Sequence, residues 1–167
     1  MVYPDYEEFI ASFNAHGVRY LVVGAHAVAH HARPRATKDL DILLDPSAAN
    51  ARRALAALRD FFGGVDLGYT VEDITSRGEF LQVGVPPVRI DLLSHLSGCQ
   101  DFQALWAHRV EAKFGQVDAH YLGLDDLIQA KDAAGRPQDR ADLQSLARAK
   151  KRVKPTRPAR RRRPRRV

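Results

Sequence analysis

Apolar positions along this 167-residue chain switch repeatedly between a helical and a strand period. In "PDYEEFIASFNAHG", Tyr6, Phe9, Ile10 and Phe13 recur at helical spacing, and Gly17 is placed to end the helix. "VRYLVV" then reads as a buried strand, Gly24-Ala25 as a tight turn, and "HAVAHHA" as a short helix that Pro34 keeps from continuing. After the loop "RPRATK" comes a strand, "DLDILL". Asp45 and Pro46 suit the N-cap and first turn of a helix through about Phe62, with Leu55, Leu58 and Phe62 on its apolar face and Gly63-Gly64 closing it. "EFLQVGVPPVRIDLLS" predicts two strands around a proline-containing turn, "DFQALWAHR" a short helix with Phe102 and Trp106 inward, and "VEAKFGQVDAHYL" a hairpin about Gly115-Gln116. Asp125 and Asp126 open a helix, Gly135 and Pro137 break it, and a last helix runs from about Gln138 to Lys150. Interleaved helices and strands predict an α/β sandwich around a mixed sheet.

Charge changes the picture at the C-terminus. Of 26 Lys and Arg, 11 fall between Lys150 and Val167, where there is no acid; the remaining 15 face the chain's 20 acids, a net of −5. The expected organisation is a mildly acidic domain over 1–149 and a basic, proline-containing tail over 150–167, disordered in isolation. Arg160, Arg161, Arg162 and Arg163 form its densest run, suited either to salt-sensitive contacts with RNA or DNA phosphates or to a solvated extension without a dedicated partner. One cysteine, Cys99, excludes an intramolecular disulfide framework, and no apolar run is long enough for a membrane span. A cytoplasmic protein that does not engage membranes is expected.

The candidate chemistry lies on two strands. Alternation puts Asp39 and Asp41 on one face, opposite Leu40 and Ile42, and sets Asp91 against Val88, Ile90 and Leu92 in the same way. A solvated sheet face would account for two such acids. A shared divalent cation would account for all three if the strands are neighbours, because three carboxylates can hold two metals for in-line phosphoryl transfer. Gly24-Ala25, between a strand and a helix N-terminus, suits a phosphate. Lys38 and Arg35 precede the acids and could neutralise phosphate charge. His26 and His30, four apart, lack the glutamate of a zinc-protease helix and read as packing or surface.

The order "VVGA", short helix, "DLDILL", then the aspartate of "RIDLL", resembles the nucleotidyltransferase superfamily with the DNA polymerase beta-type fold. Members carry a Gly-Ser or Gly-Gly turn, an acidic pair ten to fifteen residues later and often a third carboxylate; here Gly24 and Asp39 are fifteen apart. "RPRATKDLD" and "LIQAKDAAGRPQDRADLQSL" look most like small bacterial abortive-infection-type nucleotidyltransferase toxins, so the likeness covers about residues 5–148. It implies a nucleotidyltransferase-type mixed sheet flanked by helices, with a short C-terminal helical extension. It further implies Mg²⁺ (or Mn²⁺) held by Asp39, Asp41 and Asp91, with Asp91 helping to activate an acceptor hydroxyl. An NTP would be met by Gly24, Ala25, Arg35, Lys38 and Lys131, and its nucleoside monophosphate passed to a tRNA or protein hydroxyl. A cognate antitoxin or other partner protein belongs to the same expectation. Lys131 reads otherwise as a solvated helix lysine, and Asp139 and Asp142 as caps pairing with Arg136 and Arg140. Ala25 stands where many active members have serine, which favours a second reading: a non-catalytic nucleotide- or RNA-binding module on the same fold.

Overall fold

Tyr6, Phe9, Ile10 and Phe13 are fully buried, so the first apolar stripe does what its spacing demands and lays a helix onto a sheet. The computed structural model describes residues 4–34, 36–78, 80–99 and 101–152. Its helices are α1 (Pro4–Ala15), α2 (Gly24–His31), α3 (Ala48–Phe61), α4 (Val71–Thr75), α5 (Phe102–Ala107), α6 (Leu124–Ala134) and α7 (Pro137–Arg152). The strands are β1 (Tyr20–Val22), β2 (Asp39–Leu44), β3 (Phe80–Val85), β4 (Val88–Leu93), β5 (Val110–Phe114) and β6 (Val117–Tyr121). They form one six-stranded mixed sheet in the order β3-β4-β2-β1-β6-β5, flanked by helices, as expected. No helix among the described residues is long and apolar enough to cross a membrane.

Two pairings matter for the site. β1 runs antiparallel to β2, and β2 runs parallel to β4 with Asp39 opposite Arg89 and Asp41 opposite Asp91. The other faces of these strands, through Leu40, Ile42, Ile90 and Leu92, enter the core at 0–3% exposure. That burial pins the register, since a one-residue slip would turn every acid inward.

One local expectation is corrected. The N-cap of α3 is Ser47, whose hydroxyl accepts from the Asn50 amide. Asp45 is drawn instead to Arg19 at 3.0 Å and accepts from the Ser47 amide. α4, too short to show a period, is announced only by the Thr70/Asp73 capping box. The last helix continues to Arg152, where Lys150 pairs with Asp125 at 2.7 Å; residues 153–167, with Arg160 to Arg163, lie outside the described residues.

Candidate active site

The β1–α2 junction requires glycine for two separate reasons. Gly24 has φ +59°, and a Cβ there would lie 1.9 Å from Asp41 Oδ2. The aspartate therefore lies over bare backbone at the start of α2, and its β2 strand is tied to the same turn by the Val23 amide donating to the Asp41 carbonyl. Ala25 follows as a buried residue.

Around this junction opens a cleft of about 870 Å³ whose walls include Gly24, Ala25, Lys38 and the three aspartates, with Lys131 and Arg136 on the far side. Of the expected site residues the cleft thus gathers Asp39, Asp41, Asp91, Gly24, Ala25, Lys38 and Lys131; Arg35 lies outside the described residues. Opposed residues on neighbouring strands are about 4.8 Å apart, so Asp41 and Asp91 lie side by side, with Asp39 roughly 7 Å along the same face. Burial, then the charges of Asp91 and Asp39, push Asp41 up to about 6. Asp91 is raised as well, by burial and by Asp39, against the pull of Arg89.

Arg89 is the residue that sequence reasoning missed. It binds Asp39 through Nη2 at 2.5 Å and lies 3.7 Å from Asp91 through Nε. Gln82 on β3, with its amide oxygen toward the guanidinium, accepts from Nε at 2.7 Å. Strand alternation was the signal: Arg89 is two before Asp91 and must share its face. With this cation inserted, no three His, Cys, Asp or Glu side chains among the described residues are grouped closely enough to hold a metal ion. The donor chemistry nonetheless fits one. Hard carboxylate oxygens crowd on one face, and their mutual repulsion, visible in the raised Asp41, is what a divalent cation relieves once Arg89 leaves.

Lys131 is neither solvated nor free. At 6% exposure it bonds Asp139 Oδ1 at 2.8 Å and Asp142 Oδ2 at 2.9 Å, both themselves buried. Arg136 closes the group at 3.0 Å from Asp139, and its pull with that of Lys131 holds Asp139 below the usual carboxylate range against burial. The two ion partners of Lys131 are on the helix after the α6–α7 break at Gly135, so the cluster staples α6 to α7 beside the cleft. The histidines pack: His30 stacks on Tyr121 at 4.3 Å, and His26 contacts Tyr6 and Phe114.

No protein-family model matches the chain, and no curated protein sequence matches it. Among solved structures, a crystal structure of a candidate nucleotidyltransferase from Thermotoga maritima superposes with a TM-score of 0.56. The match covers 89% of this chain and 96% of that one, at 17% identity. The fold is of the nucleotidyltransferase type. At that identity the likeness is one of fold, and the chemistry has to be argued from the residues in the cleft.

Proposed function

We propose that this chain is a metal-dependent nucleotidyltransferase that moves a nucleoside monophosphate from an NTP to a hydroxyl of an acceptor, a tRNA or a protein. The observation that carries the reading is the apposition of Gly24 and Asp41. A helix N-terminus with its free amides is held directly against a strained carboxylate whose strand neighbour is a second carboxylate. Phosphate at the turn would place the α-phosphorus beside Asp41 and Asp91, with Lys38 contributing positive charge at the cleft wall.

Asp41 and Asp91 would hold Mg²⁺ or Mn²⁺, joined by Asp39, and such ions supply charge neutralisation for the α-phosphate and the leaving pyrophosphate. The residues do the rest. The acceptor oxygen forms a bond to the α-phosphorus as the bond to the bridging β-phosphate oxygen breaks. Asp91, nearest the attacking oxygen in this scheme, would take the hydroxyl proton. Arg89 must first release Asp39 and Asp91, and the triphosphate offers it replacement oxygens. Lys131, committed to Asp139 and Asp142, braces the cleft wall in this scheme and reaches phosphate only if that cluster rearranges.

The test is transfer of label from α-³²P-NTPs to RNA and protein of a cell extract with Mg²⁺ or Mn²⁺, for the unaltered chain and Asp91→Asn. Label that appears with the former and vanishes with the latter is expected. Equal labelling by both would remove the mechanism.

One observation favours a second reading, the nucleotide- or RNA-binding module without turnover: the resident Arg89 already neutralises two of the three aspartates, and Ala25 offers phosphate no hydroxyl. NTP binding that persists without label transfer from any of the four nucleotides would select it. A role as a toxin with a cognate antitoxin would show as growth arrest on expression that Asp91→Asn abolishes.

A further inference from the structure

α2 and α7 pack against each other, and both run away from the cleft. α2 starts at the Gly24 turn and α7 at Pro137, next to Arg136 and Gln138 in the cleft wall. Their far ends enclose a second hollow of about 270 Å³, lined by His31, Arg33, Ser145, Arg148 and Arg152 with two alanines. No acid lines it. Arg33, Arg148 and Arg152 are exposed and make no ion pair among the described residues. His31 is fixed at the rim by donating from Nε2 to the Leu122 carbonyl at 2.7 Å.

Two connections give this hollow a direction. Arg33 begins the segment that returns to Lys38 and Asp39, so basic residues run from the hollow back to the cleft. At the other rim the chain leaves α7 at Arg152 and continues through 153–167, which contains eight Lys or Arg and no acid. Gln138 at the cleft and Arg148 in the hollow are ten residues apart on one helix, about 15 Å. That is a distance a single strand of a few nucleotides spans, and a point-like anion does not need it.

We infer that the α2–α7 hollow is a phosphodiester-backbone site that leads the terminal hydroxyl of a nucleic-acid acceptor into the cleft. The inference rests on the nucleotidyl-transfer reading and narrows its acceptor to a nucleic acid. Charge complementarity selects this occupant: unpaired guanidiniums around a concave surface match successive phosphates, and an acidic protein would meet no apolar anchor there.

The experiment measures binding of fluorescent single-stranded RNA and DNA oligonucleotides to the full chain across a salt series, without NTP. Three proteins are compared: the unaltered chain, a triple variant Arg33→Gln, Arg148→Gln and Arg152→Gln, and a tail variant with Arg160, Arg161, Arg162 and Arg163 each changed to Ser. The triple variant is expected to lose at least tenfold in affinity and to flatten the slope of log K against log salt by about 2, three phosphates at roughly 0.7 each. Its NTP affinity and its melting temperature should stay unchanged, since all three side chains are exposed and unpaired. The arm that binds more tightly identifies RNA or DNA as the source of the backbone. Unchanged affinity and slope in the triple variant would overturn the inference, the more pointedly if the tail variant alone abolishes binding. Label transferred to protein and to no nucleic acid would also overturn it. Intact salt-sensitive binding at the hollow without any transfer would leave the hollow standing and remove the transferase reading, so the two failures are distinguishable.

Discussion

Changing Asp41 to Asn should stabilise the protein while abolishing the nucleotidyl transfer proposed for it. Asp41 ionises in the folded chain at about 6 and ordinarily at 3.8, chiefly because it is buried and secondly because Asp91 and Asp39 face it. That difference corresponds to about 3 kcal/mol of preference for the protonated form. The sign follows from proton counting. Below pH 3.8 the carboxyl is protonated in both states and costs nothing. Between 3.8 and 6 the folded state holds the proton more tightly, so stability falls as pH rises. Above 6 the full cost of an ionised Asp41 is present. Asparagine keeps the side chain's shape over Gly24 and removes that cost, so the gain at pH 7.5 should approach about 3 kcal/mol, or roughly 6–12 °C in melting temperature for a domain of this size. Urea unfolding of both proteins at pH 4.0 and 7.5, in EDTA, checks it: the difference should be large at 7.5 and small at 4.0. Added Mn²⁺ should narrow the gap at 7.5 by stabilising the unaltered chain alone. An equal difference at both pH values, or a variant less stable at 7.5, would refute the electrostatic account of the site.

Gly24→Ala should destabilise by at least about 1 kcal/mol from the left-handed backbone alone, and by more from the collision with Asp41. In the Asp41→Gly background the collision component should disappear and the backbone component remain, as read from urea midpoints; equal losses in both backgrounds would show that the two residues do not meet. Arg89→Met removes the cation that competes for Asp39 and Asp91 and should tighten Mn²⁺ binding at least tenfold by calorimetry. Weaker Mn²⁺ binding in that variant would mean that Arg89 organises the carboxylates and does not occupy their place.

The strands of the site could be read directly because each has one face that must be dry. Leu40 and Ile42 on β2, and Ile90 and Leu92 on β4, fix by alternation which way the aspartates point. That β4 lies beside β2 was only a condition in the sequence, and it is met through a parallel register that local pattern does not encode. The same alternation placed Arg89 among the acids, but an arginine on a wet face carries no mark of its own until its partners are known. The burial of Lys131, against its reading as a solvated helix lysine, was hidden for a different reason. Its partners Asp139 and Asp142 are eight and eleven residues on, beyond a left-handed glycine, where helical spacing no longer says which side chains face each other. Asp45 fitted every local rule for an N-cap and was taken from that role by Arg19, 26 residues earlier.

Two groups of charge, one buried and one half-buried, face the same cleft, and they differ in whether their charges are paired. In the α6–α7 staple each carboxylate meets a cation within 3.0 Å, and Asp139 is correspondingly held below its usual range. Such a group is complete without a ligand and serves to hold two helices. At the β2–β4 face the charges do not balance. Among the described residues three carboxylates meet a single guanidinium that does not pair with Asp41, and burial, then the charges of Asp91 and Asp39, raise its proton affinity. An asparagine at position 41 would avoid the cost of ionising a buried carboxylate. Retaining a carboxylate there, against a glycine where a Cβ would collide with it, is a cost that an added positive charge would offset. If the proposed cation binds, the uncompensated charge of Asp41 would draw it between Asp41 and Asp91, on the side away from Arg89.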